Sequence, residues 1–251
     1  MEVHAHTHTP RKKWTHYFWE FFMLFLAVTL GFFVENQREH MVEHKREKQY
    51  MQSMVEDLHA DTVKLAEIIK GHNRVEKGLD FVIDHFEDFI SGQLSPAYFK
   101  DEMIQSLNGY ADFQYTDRTI DQLKNSGGMR LIRKQAASDS IIYYNDIVRD
   151  YLLEEQILGK VYEKTVTAFY QLYNLRLLRQ ELIKENQHPG KQLSIKSSDL
   201  LLTHDNEKIE GFYNLLDVYR DTIEGKRFEA LLLKEKATRL IAFLKKQYHL
   251  H

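Results

Sequence analysis

"WTHYFWEFFMLFLAVTLGFFVEN", residues 14–36, decides how the rest of the chain is built. Its inner 18 residues, Tyr17 to Val34, carry one charge, Glu20, and one further polar side chain, Thr29. A helix of that length rises about 27 Å, close to the roughly 30 Å hydrocarbon thickness of a bilayer. Trp14, Tyr17 and Trp19 form an aromatic belt at one end, where amphipathic rings favour the headgroup level. A cleavable signal would be shorter and end in a small-residue site. Here Gly31 is followed by Phe32, Phe33, Val34 and Glu35. The stretch is therefore expected to be a retained transmembrane helix, with the lipid bilayer as its partner.

Orientation rests on the flanks. Arg11, Lys12 and Lys13 precede the span, with Glu2 as the one acid upstream; Arg38, Lys45, Arg46 and Lys48 follow it. The first cluster lies closest to the belt, which favours a cytoplasmic N-terminus and a periplasmic main domain at a bacterial inner membrane. Glu20, Ala27 and Gly31 fall within about 40° of one another at about 100° per residue. Ala27 and Gly31 make a small-xxx-small pair, which lets a second helix approach closely. Glu20 either snorkels to the nearby headgroups or faces that second helix.

Outward from the span, residues 1–16 form a basic tail that contains His4, His6 and His8. Alternate histidines in an extended tail are weak candidates for a divalent metal. Residues 35–70 contain no Gly or Pro, so the helix is expected to continue as a juxtamembrane stalk. Met51, Val55, Leu58, Thr62, Leu65 and Ile69 step by four and three, a heptad seam of coiled-coil type. Gly71 is the expected stop. Residues 71–251 then read as a helical bundle. A helix from Val75 to Ile90 is closed by Ser91-Gly92, and Ser95-Pro96 opens a short helix to Leu107. A capped helix from about Asp117 to Asn125 ends at Ser126, Gly127 and Gly128, where the chain must turn sharply. A very long helix covers 136–185 with a bend near Gly159, a polar connection covers 191–205, and a final helix runs from Asn206 onward. The expected class is all-α: one N-terminal transmembrane helix continuing into a stalk, then an elongated helical bundle.

The blocks "MEVHAHTHTPRKKWTHYFWEFFMLFLAVTLGFFVENQREH", "REKQYMQSMVEDLHADTVKL" and "TIDQLKNSGGMRLIRK" together resemble a group of uncharacterised single-span inner-membrane proteins of Bacteroidota, helical proteins with a Ser-Gly motif. The resemblance covers the first 70 residues and about 110–150. It implies a membrane anchor and a helical domain, and no chemistry.

Composition removes several function classes. The 251-residue chain has no cysteine, which excludes disulfides, thiolate nucleophiles and zinc–thiolate sites. Net charge is −3 with the signs mixed throughout; no basic stripe marks a nucleic-acid footprint. His40, Glu43 and His44 fit an H-x-x-E-H string, but in a charged stalk they read as solvated residues. Asp57 and Asp61 read as ordinary helix-face acids. The tyrosines between Tyr143 and Tyr173 read as core. No cofactor is expected. The expected function is a non-enzymatic scaffold or accessory subunit, self-associating as a homo-oligomer and open to other membrane subunits. The alternatives are a ligand-binding or sensor module, and an oligomeric ion or proton path using Glu20.

Overall fold

The computed structural model describes residues 14–94, 96–108, 111–187 and 197–250. Among them the fold is all-α, with one isolated antiparallel bridge, Tyr173 to Leu201. The chain forms two compact units, Met1–Tyr50 and Met51–His251. Helix α1, Trp14–Asp84, supplies residues to both.

In the first unit every residue from Trp14 to Val42 is exposed. This N-terminal part of α1 is long and apolar enough to cross a membrane: its most apolar stretch has a mean hydropathy of 1.9 and none of it is buried in the protein. Thr29 hides its hydroxyl by donating to the Phe25 carbonyl at 2.8 Å, which leaves no unsatisfied polar group in the middle of the stretch.

The second unit is built on three long helices: the later part of α1, α5 (Gln135–Leu172) and α7 (Asn206–Tyr248). Each buries one stripe with three–four spacing. On α1 it runs Met51, Met54, Leu58, Asp61, Leu65, Ile68, His72, Val75, Leu79, Val82. On α5 it includes Ala137, Ile141, Tyr144, Val148, Tyr151, Glu155 and Leu158, and on α7 Phe212, Leu216, Tyr219, Ile223, Lys226, Ala230 and Leu233. Such stripes pack as left-handed seams, and each fully buried aliphatic or aromatic side chain contributes about 1.5–3 kcal/mol. Polar contacts between the helices give their directions. Glu76 meets Arg227 at 2.7 Å and Asp80 meets Arg220 at 2.8 Å, so α1 and α7 are antiparallel. Lys226 meets Tyr151 and Lys236 meets Tyr143, so α5 and α7 are antiparallel too.

Shorter helices complete the unit: α2 (Phe86–Ile90), α3 (Pro96–Asn108) and α6 (Leu175–Gln187) lie toward the Asp84 end of α1, whereas α4 (Arg118–Asn125) packs beside Asp57. Helix α3 crosses α1 where Gly78 leaves room; a Cβ there would lie 2.2 Å from the Ser106 hydroxyl oxygen.

Three expectations change. Gly71 does not stop α1, which continues to Asp84; burial of His72, Val75 and Leu79 outweighs the roughly 1 kcal/mol cost of a helical glycine. The seam from Met51 to Ile69 turns inward: Met51, Val55, Leu58 and Leu65 are buried by the chain itself, and the compact unit starts at Met51 rather than at residue 71. The long helix breaks at Tyr173 and not at Gly159, which lies inside α5. Tyr173 is extended (φ −105°, ψ 139°). Asn174 N–H donates to the Leu200 carbonyl at 2.8 Å, and the Asn174 side-chain oxygen accepts from Leu177 N–H at 3.1 Å, capping α6. A side-chain cap of that kind contributes about 1 kcal/mol.

Candidate functional site

The distinctive chemistry of the second unit lies inside its seams. Lys226 is 4% exposed. Its ammonium donates to the Tyr151 carbonyl at 3.1 Å, pairs with Glu229 at 2.5 Å and sits 3.7 Å from the Tyr151 ring centroid. These contacts offset the desolvation of a buried charge. His72, on the facing stripe of α1, is 1% exposed, and both of its ring nitrogens lack a hydrogen-bond partner among the described residues. Burial, then the nearby Lys226 and Arg227 charges, push its pKa down to about 4. Glu155 completes the polar set from α5; burial holds its carboxyl above the ordinary range, against a hydrogen bond from Phe113 N–H at 2.9 Å. Polar side chains at heptad core positions fix register, because a slipped alignment strands them against apolar neighbours.

A second set of buried carboxylates ties down the aromatic connection 111–117. Asp61, fully buried, accepts from Thr116 N–H at 2.9 Å through Oδ1. Burial raises its pKa. Lys64 donates to the Gln114 carbonyl at 2.6 Å and to the Thr116 hydroxyl at 2.7 Å. Asp57, 4% exposed, accepts from Thr119 N–H at 2.9 Å and from Arg118 at 2.7 Å. It therefore caps α4 from another helix, and the local N-cap residue, Asp117, makes no side-chain cap. The reading of Asp57 and Asp61 as ordinary surface acids is corrected: they are interior anchors of a distant connection. Sequence spacing carried no signal for this, since the partners are backbone groups about sixty residues away.

In the first unit the stripe residues are exposed. An ideal Cβ on Gly31 would meet nothing within 4 Å, so that position leaves space for close approach. Glu20 pairs with His16 at 3.0 Å, one turn earlier; the i, i+4 spacing was the available signal. His40 lies 3.9 Å from Glu43, and His44 lies 3.5 Å from Glu47. Among the described residues no group of three His, Asp or Glu side chains is placed to share a metal ion. His4, His6 and His8 lie outside the described residues.

At the Ser126-Gly127-Gly128 turn, the left-handed residue is Gly127 (φ 68°, ψ 16°). Gly128 is buried, and a Cβ there would come within 3.2 Å of the Leu123 side chain. Gly127→Val is expected to cost about 1–2 kcal/mol because a β-branched residue disfavours positive φ. A urea titration checks this, and an unshifted midpoint would show that the turn relaxes freely.

The three comparisons with known proteins are negative: no family model, no curated protein and no solved structure matches the chain.

Proposed function

We propose that the protein is a non-enzymatic, membrane-anchored scaffold or accessory subunit, held in the bacterial inner membrane by the span at 17–34 and self-associating through the Glu20–Ala27–Gly31 stripe. The supporting observation is the exposed apolar surface of the N-terminal part of α1, whose most apolar stretch has a mean hydropathy of 1.9 and is not covered by the rest of the chain. Such a surface is costly in water and favoured in hydrocarbon. The open space at Gly31 suits a helix–helix contact. In this reading the N-terminus is cytoplasmic and the Met51–His251 unit is periplasmic.

Single cysteines along the span of this cysteine-free chain test the proposal in native membranes. Positions 20, 27 and 31 are expected to crosslink severalfold better than positions 22, 25 and 29. Equal yields would make the stripe lipid-facing and leave Glu20 as a headgroup contact. Recovery of the chain in the soluble fraction would overturn the anchor itself.

A further inference from the structure

We infer that the concavity between α5 and α7 beside Tyr143 is a binding site for a small carboxylate with a flat apolar body. The space between the two helices there is about 280 Å³. That is close to the lower end, about 300 Å³, of small-molecule sites. Tyr144 and Leu240, 3% and 6% exposed, form its floor. Tyr143, 60% exposed, and Phe243 supply aromatic walls. A flat ring or short chain buries its surface among these groups, and aromatic contacts add to that burial.

Charge selects the head group. Among the described residues, Lys236 and Arg239 line the concavity and no Asp or Glu does. The acids nearest in sequence, Asp139, Asp146 and Glu235, each have a partner: Gln135, Arg149 and Arg239. With Arg239 set against Glu235, Lys236 leaves one net positive charge, which a monoanion matches. The Lys236 ammonium donates to the Tyr143 hydroxyl oxygen at 3.4 Å. That bond occupies a lone pair and leaves the hydroxyl hydrogen to donate to a carboxylate. Arg239 has further N–H donors beyond the one on Glu235, in the fork that suits a planar carboxylate.

The surroundings act in the same sense. Residues 124–138 and 236–250 each contain four Lys or Arg and no Asp or Glu. Lys134 ties the two segments together by donating to the Gln247 carbonyl. This end of the helix pair therefore draws anions toward the concavity. In the other direction an adjoining concavity also reaches Lys236, but it is lined by Asp150, Glu154 and Glu229. Glu154 and Glu229 crowd each other there, so a carboxylate is confined to the Tyr143 side. The site would give the Met51–His251 unit a ligand of its own.

The inference does not depend on contact between spans, and its test reads binding alone. The probe is 2-naphthoate, compared with its neutral analogue naphthalene-2-methanol. Each is titrated calorimetrically into the full-length chain in zwitterionic nanodiscs, with protein-free nanodiscs as the blank. The carboxylate is expected to bind about tenfold more tightly than the alcohol. The double variant Lys236→Gln, Arg239→Gln is expected to abolish that preference. The matched double variant Lys160→Gln, Lys164→Gln, which removes two exposed cations elsewhere on α5, is expected to leave it unchanged. Unchanged circular dichroism melting controls for folding. Equal affinity for acid and alcohol, binding of neither, or a preference that survives loss of Lys236 and Arg239 would overturn the inference. An equal loss in the matched variant would also overturn it, because diffuse surface charge would then attract the anion.

Discussion

Replacing His72 with Phe is expected to remove about 3 kcal/mol of acid sensitivity from the folded protein. The folded pKa of His72 is about 4, against an ordinary 6.5. The unfolded chain therefore binds a proton on this ring more readily than the folded chain does. Stability contributed by the neutral ring is complete above about pH 6.5 and is lost as pH falls toward 4. A difference of about 2.5 pKa units at about 1.36 kcal/mol each sets the magnitude. The cause is burial first, then repulsion from Lys226 and Arg227 across the seam. Asp61 and Glu155 work in the opposite sense, since their raised pKa values make the folded state the better proton binder on acidification. The contribution of His72 is therefore read from the difference between the chain and its His72→Phe variant, in urea titrations at pH 7, 5.5 and 4.5. Parallel stability profiles for the two proteins would show that the ring is solvated or paired in solution.

The second large effect belongs to Asp57. Asp57→Ala is expected to lower stability by about 2–4 kcal/mol, because it strands the buried Thr119 N–H at the start of α4. Arg118→Ala removes the other half of the contact and is expected to cost less than about 1 kcal/mol, as the Arg118 side chain is 64% exposed. Asp57→Asn keeps an oxygen for Thr119 and falls between the two. Urea midpoints check the mechanism through this order, with Asp57→Ala the most damaging, Asp57→Asn intermediate and Arg118→Ala the mildest. If Arg118→Ala proved as damaging as Asp57→Ala, the ion pair and not the cap would be the stabilising element.

Much of the architecture was legible because apolar periodicity records it. The exposed run from Tyr17 to Val34 and the stripe through Met51, Leu58 and Leu65 stand out by spacing alone. The interior polar residues were hidden by the same logic. Asp61, His72, Glu155 and Lys226 occupy core positions, yet each reads as a solvated residue until its tertiary partners are known. The cap on α4 misled locally: Asp117 stands where a capping acid belongs, but Asp57 supplies the bond. The break at Tyr173 was invisible because no Gly or Pro marks it; it depends on pairing with Leu200 and Leu201. Of the candidate positions, Gly127 was legible from the Ser-Gly-Gly turn, whereas the pairing of Lys226 with Tyr151 was not, because it exists only once α5 and α7 lie side by side.

The continuity of α1 also sets an order of events during synthesis. Its seam residues emerge early, but their partners on α7 follow far behind; Glu76 waits 151 residues for Arg227. At roughly 5–20 residues per second that interval lasts about 8–30 s. Throughout it the side of this stripe that faces α7 stays open on a nascent chain, although α3 and the connection at 111–117 already cover other parts of it. The C-terminal helix thus acts as a late-arriving clasp, and a ribosome stalled before α7 releases a product whose seam is open to any neighbouring helix.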